Sequence, residues 1–462
     1  MYDRRQVLAA SGTLLTGVAG CLSTDDQGTG TRTTTRSTAT PTTDPETATS
    51  TDDTTSDDST TEEDTAELPD WEHDWYRSWD YDHALGIDPF GGTAYVTLSD
   101  ESDGNSATVA VDPADGTTLW ETVHDGEAVG MSYVRHNEGD DQWGVTITDE
   151  TVFSVNGRAD QFEWTTLHAL NRETGARRWK VRRERLLGVV GVFAGRVFVL
   201  AQDFFKPEHS HDEPEPRPTS LLALDAATGE VRWEETVTAA EATATADAAG
   251  AYLLADDRLL AFAHDGTSRG EQALGTAGTD LAAATGGRYV FYRDGSGDHI
   301  AGFAPDASLD WTRSVDHGDH LAVDGVLYLS KPSVSSLAAD GAIRWQSDAF
   351  GGDFVVSPDG SVLYGRSGRQ ADAVTAFATD DGTARWTFDP PAQNAWPAAA
   401  TAGTVVTEAL AEQGYTLYPV DAASGKPLAR LTGVHSFAVE GLDETVLVAD
   451  GSGGVRALPA IP

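Results

Sequence analysis

From Trp71 onward the chain is a succession of short apolar runs, each closed by Gly, Asp or Pro. Residues 196–200 (RVFVL), 288–292 (RYVFY) and 326–329 (VLYL) are typical. Their length, their β-branched and aromatic content and their turn-forming borders predict β-strands, and helical periodicity is nearly missing after the first 20 or so residues. Residues 221–233, LLALDAATGEVRW, show the basic unit. Residues 221–224 predict a strand whose Leu222 and Leu224 share a face, because side chains alternate. Residues 225–229 predict a tight turn, with Asp225 accepting backbone N–H groups and Gly229 free to take a positive φ. A returning strand then carries Trp233, large enough to fill a seam between two sheets.

This unit recurs. Gly116 leads to Trp120, Gly175 to Trp179, Gly229 to Trp233, Gly341 to Trp345 and Gly382 to Trp386, always with three residues between. Trp311 stands in the same register behind Ala307. Gly425 matches the turn, but Ala429 takes the tryptophan slot, and in a degenerate copy Gly266 is followed by Gly270. A period of roughly 35–55 residues with several strands per unit is the mark of a propeller, whose blades bury their faces by stacking in a ring. About 390 residues are too many for one core but suit a core divided among blades. Trp79 precedes Trp120 by one period, so residues 71–79 predict an outer strand without inner ones. Residues 436–439, 445–448 and 454–458 predict three strands without an outer one, so the two termini are expected to complete one blade together.

The phrase Ala-X-Asp-X-X-Thr-Gly-X-X-X-Trp resembles the tryptophan-docking motif of PQQ-like β-propeller repeats. It is complete at 223–233, and differs by Asp115 at 110–120, by Asn171 at 169–179 and by Ala378 at 376–386. Nine outer-strand positions can be counted, whereas the resemblance favours eight blades. The expectation is therefore an all-β propeller of eight four-stranded blades over 71–462. The family includes quinoprotein alcohol dehydrogenases, the outer-membrane assembly lipoprotein of Gram-negative bacteria and many extracytoplasmic domains. Its dehydrogenases are similar in using an adjacent, disulfide-bonded cysteine pair against the quinone, a calcium ion and a catalytic aspartate. Here the only cysteine is Cys21, outside the repeats. No catalytic residue and no cofactor are therefore expected, PQQ included, and the repeats read as structural.

Charge sharpens the setting. Asp and Glu number 74 against 31 Lys and Arg, a formal net charge of −43, and only Lys180, Lys206, Lys331 and Lys426 are lysines. The acid excess runs through the repeats, as expected of a protein adapted to molar salt, where the Debye length falls to about 3 Å. Such a surface argues against nucleic acid as a partner. Residues 1–21 read as an export signal: Arg4 and Arg5 before an apolar stretch resemble a twin-arginine signal, and residues 18–21 (VAGC) resemble a lipobox with Cys21 as the acylated residue. The stretch is shorter than the roughly 20 residues that span a bilayer. Residues 22–70, rich in Thr, Ser, Asp and Glu, predict a disordered tether. The expected location is the outer face of the cytoplasmic membrane, with a lipid on Cys21 and a protein or small ligand at a propeller face.

Other constellations are weaker. His209 and His211 stand beside Asp212 and Glu213 in the insertion 203–218, and neutral imidazole suits Zn, Cu or Ni. Residues 316–320 (DHGDH), with His299 upstream, form a second candidate. Residues 135–144 are a further insertion, and long loops on a rigid scaffold are where binding tends to reside. Trp143, Trp164 and Trp396 fall outside the docking register; Trp396 is a candidate for a rim. The expected function is a non-catalytic binding or scaffold propeller, with a PQQ- or metal-dependent oxidoreductase as the alternative and envelope assembly as a third reading by analogy.

Overall fold

The computed structural model describes residues 68–100, 104–128, 145–158, 163–203, 216–275, 278–284, 287–315, 320–323, 325–330, 333–347, 352–367, 372–391, 393–411 and 414–461. They form nine antiparallel sheets in sequence order, each running from an innermost to an outermost strand. Blade 1 spans 83–125, blade 2 127–183, blade 3 186–239, blade 4 242–273, blade 5 278–315, blade 6 320–346, blade 7 352–388 and blade 8 393–434. Blade 9 takes three strands from the C-terminus (Ser436–Leu442, Thr445–Asp450, Gly454–Pro459) and its outermost strand, Trp75–Ser78, from the N-terminus. The strand Trp75–Ser78 pairs antiparallel with Gly454–Pro459, Trp75 opposite Ala457 and Ser78 opposite Gly454.

The count is nine blades, not eight. The two degenerate units are full four-stranded sheets: Gly270 lies in the outer strand Ser268–Ala273 of blade 4, and the unit with Ala429 is blade 8. Strand pairing depends on the hairpin and the apolar runs, which both units keep. Only the closure of the seam depends on the indole.

Nine apolar clusters fill nine seams. Second and third strands are buried on both faces, so they read as near-continuous apolar runs. The strand Arg217–Asp225 shows how one run serves two seams: Leu222 and Leu224 pack with Val189, Val199 and Trp179 of one cluster, and Leu221 and Ala223 with Leu253 and Phe262 of the next. Outer strands alternate instead, as in Leu309–Val315, where every second side chain is exposed. Blade 2 departs from the plan. Its innermost strand is split into Glu127–Ala128 and Thr146–Ile147, which pair with opposite ends of Thr151–Arg158. The insertion 135–144 enters at this break and lies outside the described residues.

Candidate functional site

The motif residues meet at the seams. Each turn carries a carboxylate or amide that caps it; in the complete motif Asp225 Oδ1 accepts the N–H groups of Ala227 and Thr228 and the Thr228 hydroxyl, at 3.1, 3.1 and 3.2 Å. The glycine then adopts a positive φ, 73° at Gly229. Across the seam an indole of the preceding blade lies against that glycine so closely that a Cβ on Gly229 would sit 2.7 Å from the Trp179 ring. The indole N–H donates to a turn carbonyl: Trp120 to Arg172 at 2.9 Å, Trp179 to Ala226 at 3.0 Å, Trp233 to His264 at 3.0 Å, Trp311 to Ala339 at 2.8 Å, Trp345 to Thr379 at 2.8 Å and Trp386 to Ala422 at 3.0 Å. Gly175, Gly229, Gly266, Gly341, Gly382 and Gly425 receive these six rings in the same order. The residue opposite each indole on the third strand is small: Ala110, Ala169, Ala223, Gly302, Ser336 and Ala376.

Gly116 receives Trp75, not Trp79. The Trp75 N–H donates to the Pro113 carbonyl at 2.9 Å. Spacing alone favours Trp79, but the terminal strand ends at Ser78 and its register sets Trp75 opposite the small Ala457. Trp79 packs instead among the apolar side chains between blades 9 and 1. The slot at Ala429 is filled from elsewhere. The Trp71 N–H donates to the Pro459 carbonyl at 3.1 Å, and its side chain, 3% exposed, packs with Ala429, Leu417, Val448 and Leu458. The segment is held by two backbone bonds, Trp71 N–H to the Arg430 carbonyl at 2.6 Å and Arg430 N–H to the Pro69 carbonyl at 2.9 Å. The slot at Gly270 holds no indole: a Cβ there would lie 2.0 Å from the Asp306 carbonyl of blade 5.

Arg4, Arg5, Cys21, His209, His211 and Trp143 lie outside the described residues. Of the candidate DHGDH run only His320 is described, at the start of the innermost strand of blade 6, 3.4 Å from Asp280 and stacked on Phe291. His299 contacts Asp294 and Ser296 and does not join it. Trp396 is buried against Tyr415 and is not a rim platform. Trp164 lies beneath the Arg182 guanidinium, 3.8 Å from the ring centre.

Two polar groupings escape sequence reading. Where innermost strands begin, Arg366 joins Asp353 of its own blade at 3.2 Å to Asn394 of blade 8 at 3.3 Å. Glu408 of blade 8 accepts the Ser436 hydroxyl of blade 9, and burial pushes its carboxyl up to about 7 against that hydrogen bond. The second grouping lies between blades 1 and 2. His124 and His168 are 2% and 3% exposed, with ring centres 4.4 Å apart. Asn156 spends its amide N–H on the Asp125 carbonyl at 2.7 Å, so its Oδ1 accepts from His168 Nε2 at 2.7 Å. Thr108 donates to Ser154 at 3.0 Å and therefore accepts from His124 Nε2 at 2.9 Å. Both rings thus carry their proton on Nε2, and neither Nδ1 has a partner among the described residues. Burial, aided by Arg177, holds His124 down at about 4; burial, then His124, Arg177 and Lys180, hold His168 at about 2. The pair is a neutral polar filling. On the innermost strand of blade 1, away from the pair, Asp88 accepts the Val145 N–H at 2.8 Å, and desolvation raises it to about 7. None of these residues belongs to the repeated phrase. A histidine in the strand Trp164–Asn171, otherwise buried on both faces, was the available signal for His168; His124, on the alternating outer strand Thr118–Asp125, gave none.

Each motif residue is therefore engaged within the ring. Among the described residues no group of three or more His, Cys, Asp or Glu side chains is placed to hold a metal.

A search of curated proteins finds no match. Among solved structures the chain is similar to BamB from Moraxella catarrhalis, with 16% identity and TM-score 0.48, over 84% of this chain and 97% of that one. It is similar to quinohemoprotein alcohol dehydrogenase from Comamonas testosteroni, with 12% identity and TM-score 0.46, over 85% of this chain and 76% of that one. It is also similar to Sqt1 from Saccharomyces cerevisiae, with 9% identity and TM-score 0.47, over 85% and 100%. These three likenesses carry no functional argument. Residues 70–277 and 330–460, more than half of the chain, match the PQQ-repeat family described as outer membrane protein assembly factor BamB, and the chain belongs to that family.

Proposed function

We propose that this protein is a non-catalytic scaffold, held outside the cell by a lipid on Cys21, that presents its propeller to a protein partner. The observation that carries this reading is how the motif residues are used. Indole N–H groups and glycines are engaged in closing seams, and turn carboxylates in capping the turns that receive the indoles. Membership of the BamB-described family supports a scaffold. So does the single cysteine, since Cys21 cannot supply the paired cysteines that the related dehydrogenases place against a quinone. Arg4 and Arg5 before an apolar stretch, and Cys21 at its end, support export and anchoring, and the charge of −43 supports a saline exterior.

The test has two arms. PQQ and Ca²⁺ are added to the purified protein, and bound-quinone absorbance and dye-linked oxidation of alcohols or sugars are followed. No bound quinone and no turnover are expected; stoichiometric quinone with turnover would overturn the scaffold reading. In cells, Cys21→Ser is expected to move the protein from the membrane to the soluble fraction, and unchanged membrane retention would remove the lipid anchor from the proposal.

A further inference from the structure

The outermost strand of blade 2, Arg177–Arg183, reads RRWKVRR. In a chain with 31 Lys and Arg against 74 Asp and Glu, five cations in seven residues, with no carboxylate among them, are a local reversal of charge. The other outer strands do not share it. Thr118–Asp125 carries Glu121 and Asp125 and no Lys or Arg; Val231–Ala239 carries Glu234 and Glu235 against Arg232; Leu309–Val315 sets Asp310 against Arg313. Arg177, Arg178, Lys180 and Arg182 are exposed. Arg178 pairs with Glu150 at 3.4 Å, and Arg182 lies over Trp164. Among the described residues no carboxylate pairs with Arg177, Lys180, Arg182 or Arg183, although acids outnumber bases more than two to one.

The strand is also an edge. It pairs with Trp164–Asn171 on one side, and among the described residues no strand covers the other. An open edge offers a row of backbone donors and acceptors to an incoming strand, and side chains at alternate positions select which strand. Cations on an edge also deter pairing between like strands. That role alone would not single out blade 2, because acidic side chains would do it equally well and no other described outer strand carries more than one Lys or Arg.

We infer that the strand Arg177–Arg183 is a docking edge for an extended acidic segment of a partner protein, which adds to blade 2 as an antiparallel or parallel strand. This rests on the scaffold reading and names the chemistry of its partner. Lys180 and Arg182 stand two residues apart, about 7 Å along the strand, the repeat at which side chains of an added strand recur on one side. Carboxylates at alternate positions of the incoming segment meet these cations, and the backbone ladder supplies attraction that salt does not screen.

The probe is a labelled peptide of alternating Glu and Val, as long as the strand, added to the full chain and followed by fluorescence anisotropy. The wild type is expected to bind it and to ignore an alternating Lys-Val peptide. N-methylation of every second amide of the Glu-Val peptide, which removes ladder donors but no charge, is expected to abolish binding. Arg177→Gln/Lys180→Gln/Arg182→Gln is expected to weaken binding about tenfold, the combined effect of three exposed charge pairs, with the near-ultraviolet circular dichroism of the docked indoles unchanged. If that variant fails to fold, the N-methylated comparison on the wild type decides alone. Lack of binding by the Glu-Val peptide, equal binding of its N-methylated form, or tighter retention on phosphatidylglycerol vesicles or an oligonucleotide than on the peptide would each overturn the inference. Capture of the same membrane partners by wild type and triple variant would also overturn it while leaving the scaffold reading intact; quinone turnover would remove the scaffold reading itself.

Discussion

Two seams of the ring lack their own tryptophan and are closed by different means. Between blades 8 and 9 the slot at Ala429 is filled by Trp71, delivered by the N-terminal segment and tied to Arg430 and Pro459. Between blades 4 and 5 nothing is delivered. The turn of blade 5 moves in until the Asp306 carbonyl occupies the position a Cβ on residue 270 would need. The turn residue responds accordingly. Where an indole docks, the slot is glycine, because the ring leaves no room for a Cβ; at the seam without an indole, Ala307 holds the slot at φ 67° and is fully buried. The turn glycine is therefore required as much by the indole above it as by its own backbone. Blade 9 has no turn between its third and fourth strands, since these come from opposite ends of the repeat region, so Trp71 binds Pro459 in place of a turn carbonyl.

The largest effect is expected at Trp71. Trp71→Ala removes a fully packed indole and leaves a cavity that blades 8 and 9 can only partly collapse, at a cost of about 3–5 kcal/mol. Thermal unfolding should register it as a drop of several degrees. Adding Ala429→Trp to that variant returns an indole to the slot from the blade itself and should restore part of the loss. An unchanged melting temperature in the single variant would mean that the terminal segment is an ornament and not a closure. Gly270→Trp is the opposite case. Its ring has no slot to enter, and the obstacle is the backbone of Asp306, so it should destabilise where the compensated Ala429→Trp does not.

A smaller contrast separates the two kinds of turn. Gly229→Ala places a Cβ 2.7 Å from the Trp179 ring at φ 73°, and the combined strain and clash should cost about 1–3 kcal/mol. Ala307→Gly relieves a left-handed alanine with no ring above it and should lie within about 1 kcal/mol of the wild type, on the stabilising side. Urea denaturation of the two variants reads both values. Equal losses would break the argument that glycine is held by the indole.

These seams also show what the sequence could and could not reveal. The hairpin, the docking glycines and the pairing of the two termini were legible because one geometry needs the same residue types each time. All nine units could be counted, but the resemblance favoured eight, and the units of Gly270 and Ala429, which lack the indole, did not reveal that they keep every strand. Spacing favoured Trp79 over Trp75, and only the strand register reverses that choice. Trp71 was hidden because its partner, Ala429, is more than 350 positions away. The cation-rich strand Arg177–Arg183 looks like one more copy of the motif until the strand order shows its outer side to be an edge.

The seam between blades 1 and 2 sharpens the comparison further, because it keeps a docked Trp120 and yet has a polar filling of His124 and His168, with Asp88 held separately at its inner end. Little change is expected from it at neutral pH, and the signal is the pH dependence. Burial holds His124 and His168 at about 4 and about 2 in the folded chain, below the ordinary imidazole value of 6.5. As pH falls below 6.5 the unfolded chain takes up protons that the folded chain refuses, so this contribution is full above 6.5 and is lost progressively down to those values. Asp88 acts in the opposite sense. Raised to about 7 from 3.8, it is protonated in the folded chain first, so its contribution is full below pH 3.8 and is lost as pH rises through 7. Between pH 7 and 4 the two oppose each other. Asp88→Asn should therefore steepen the loss of melting temperature on acidification across that window, and His168→Gln should flatten it. The seam between blades 4 and 5, probed through Ala307→Gly, should leave the slope unchanged. If all three variants kept the wild-type slope, the buried pair would not be neutral in the folded ring.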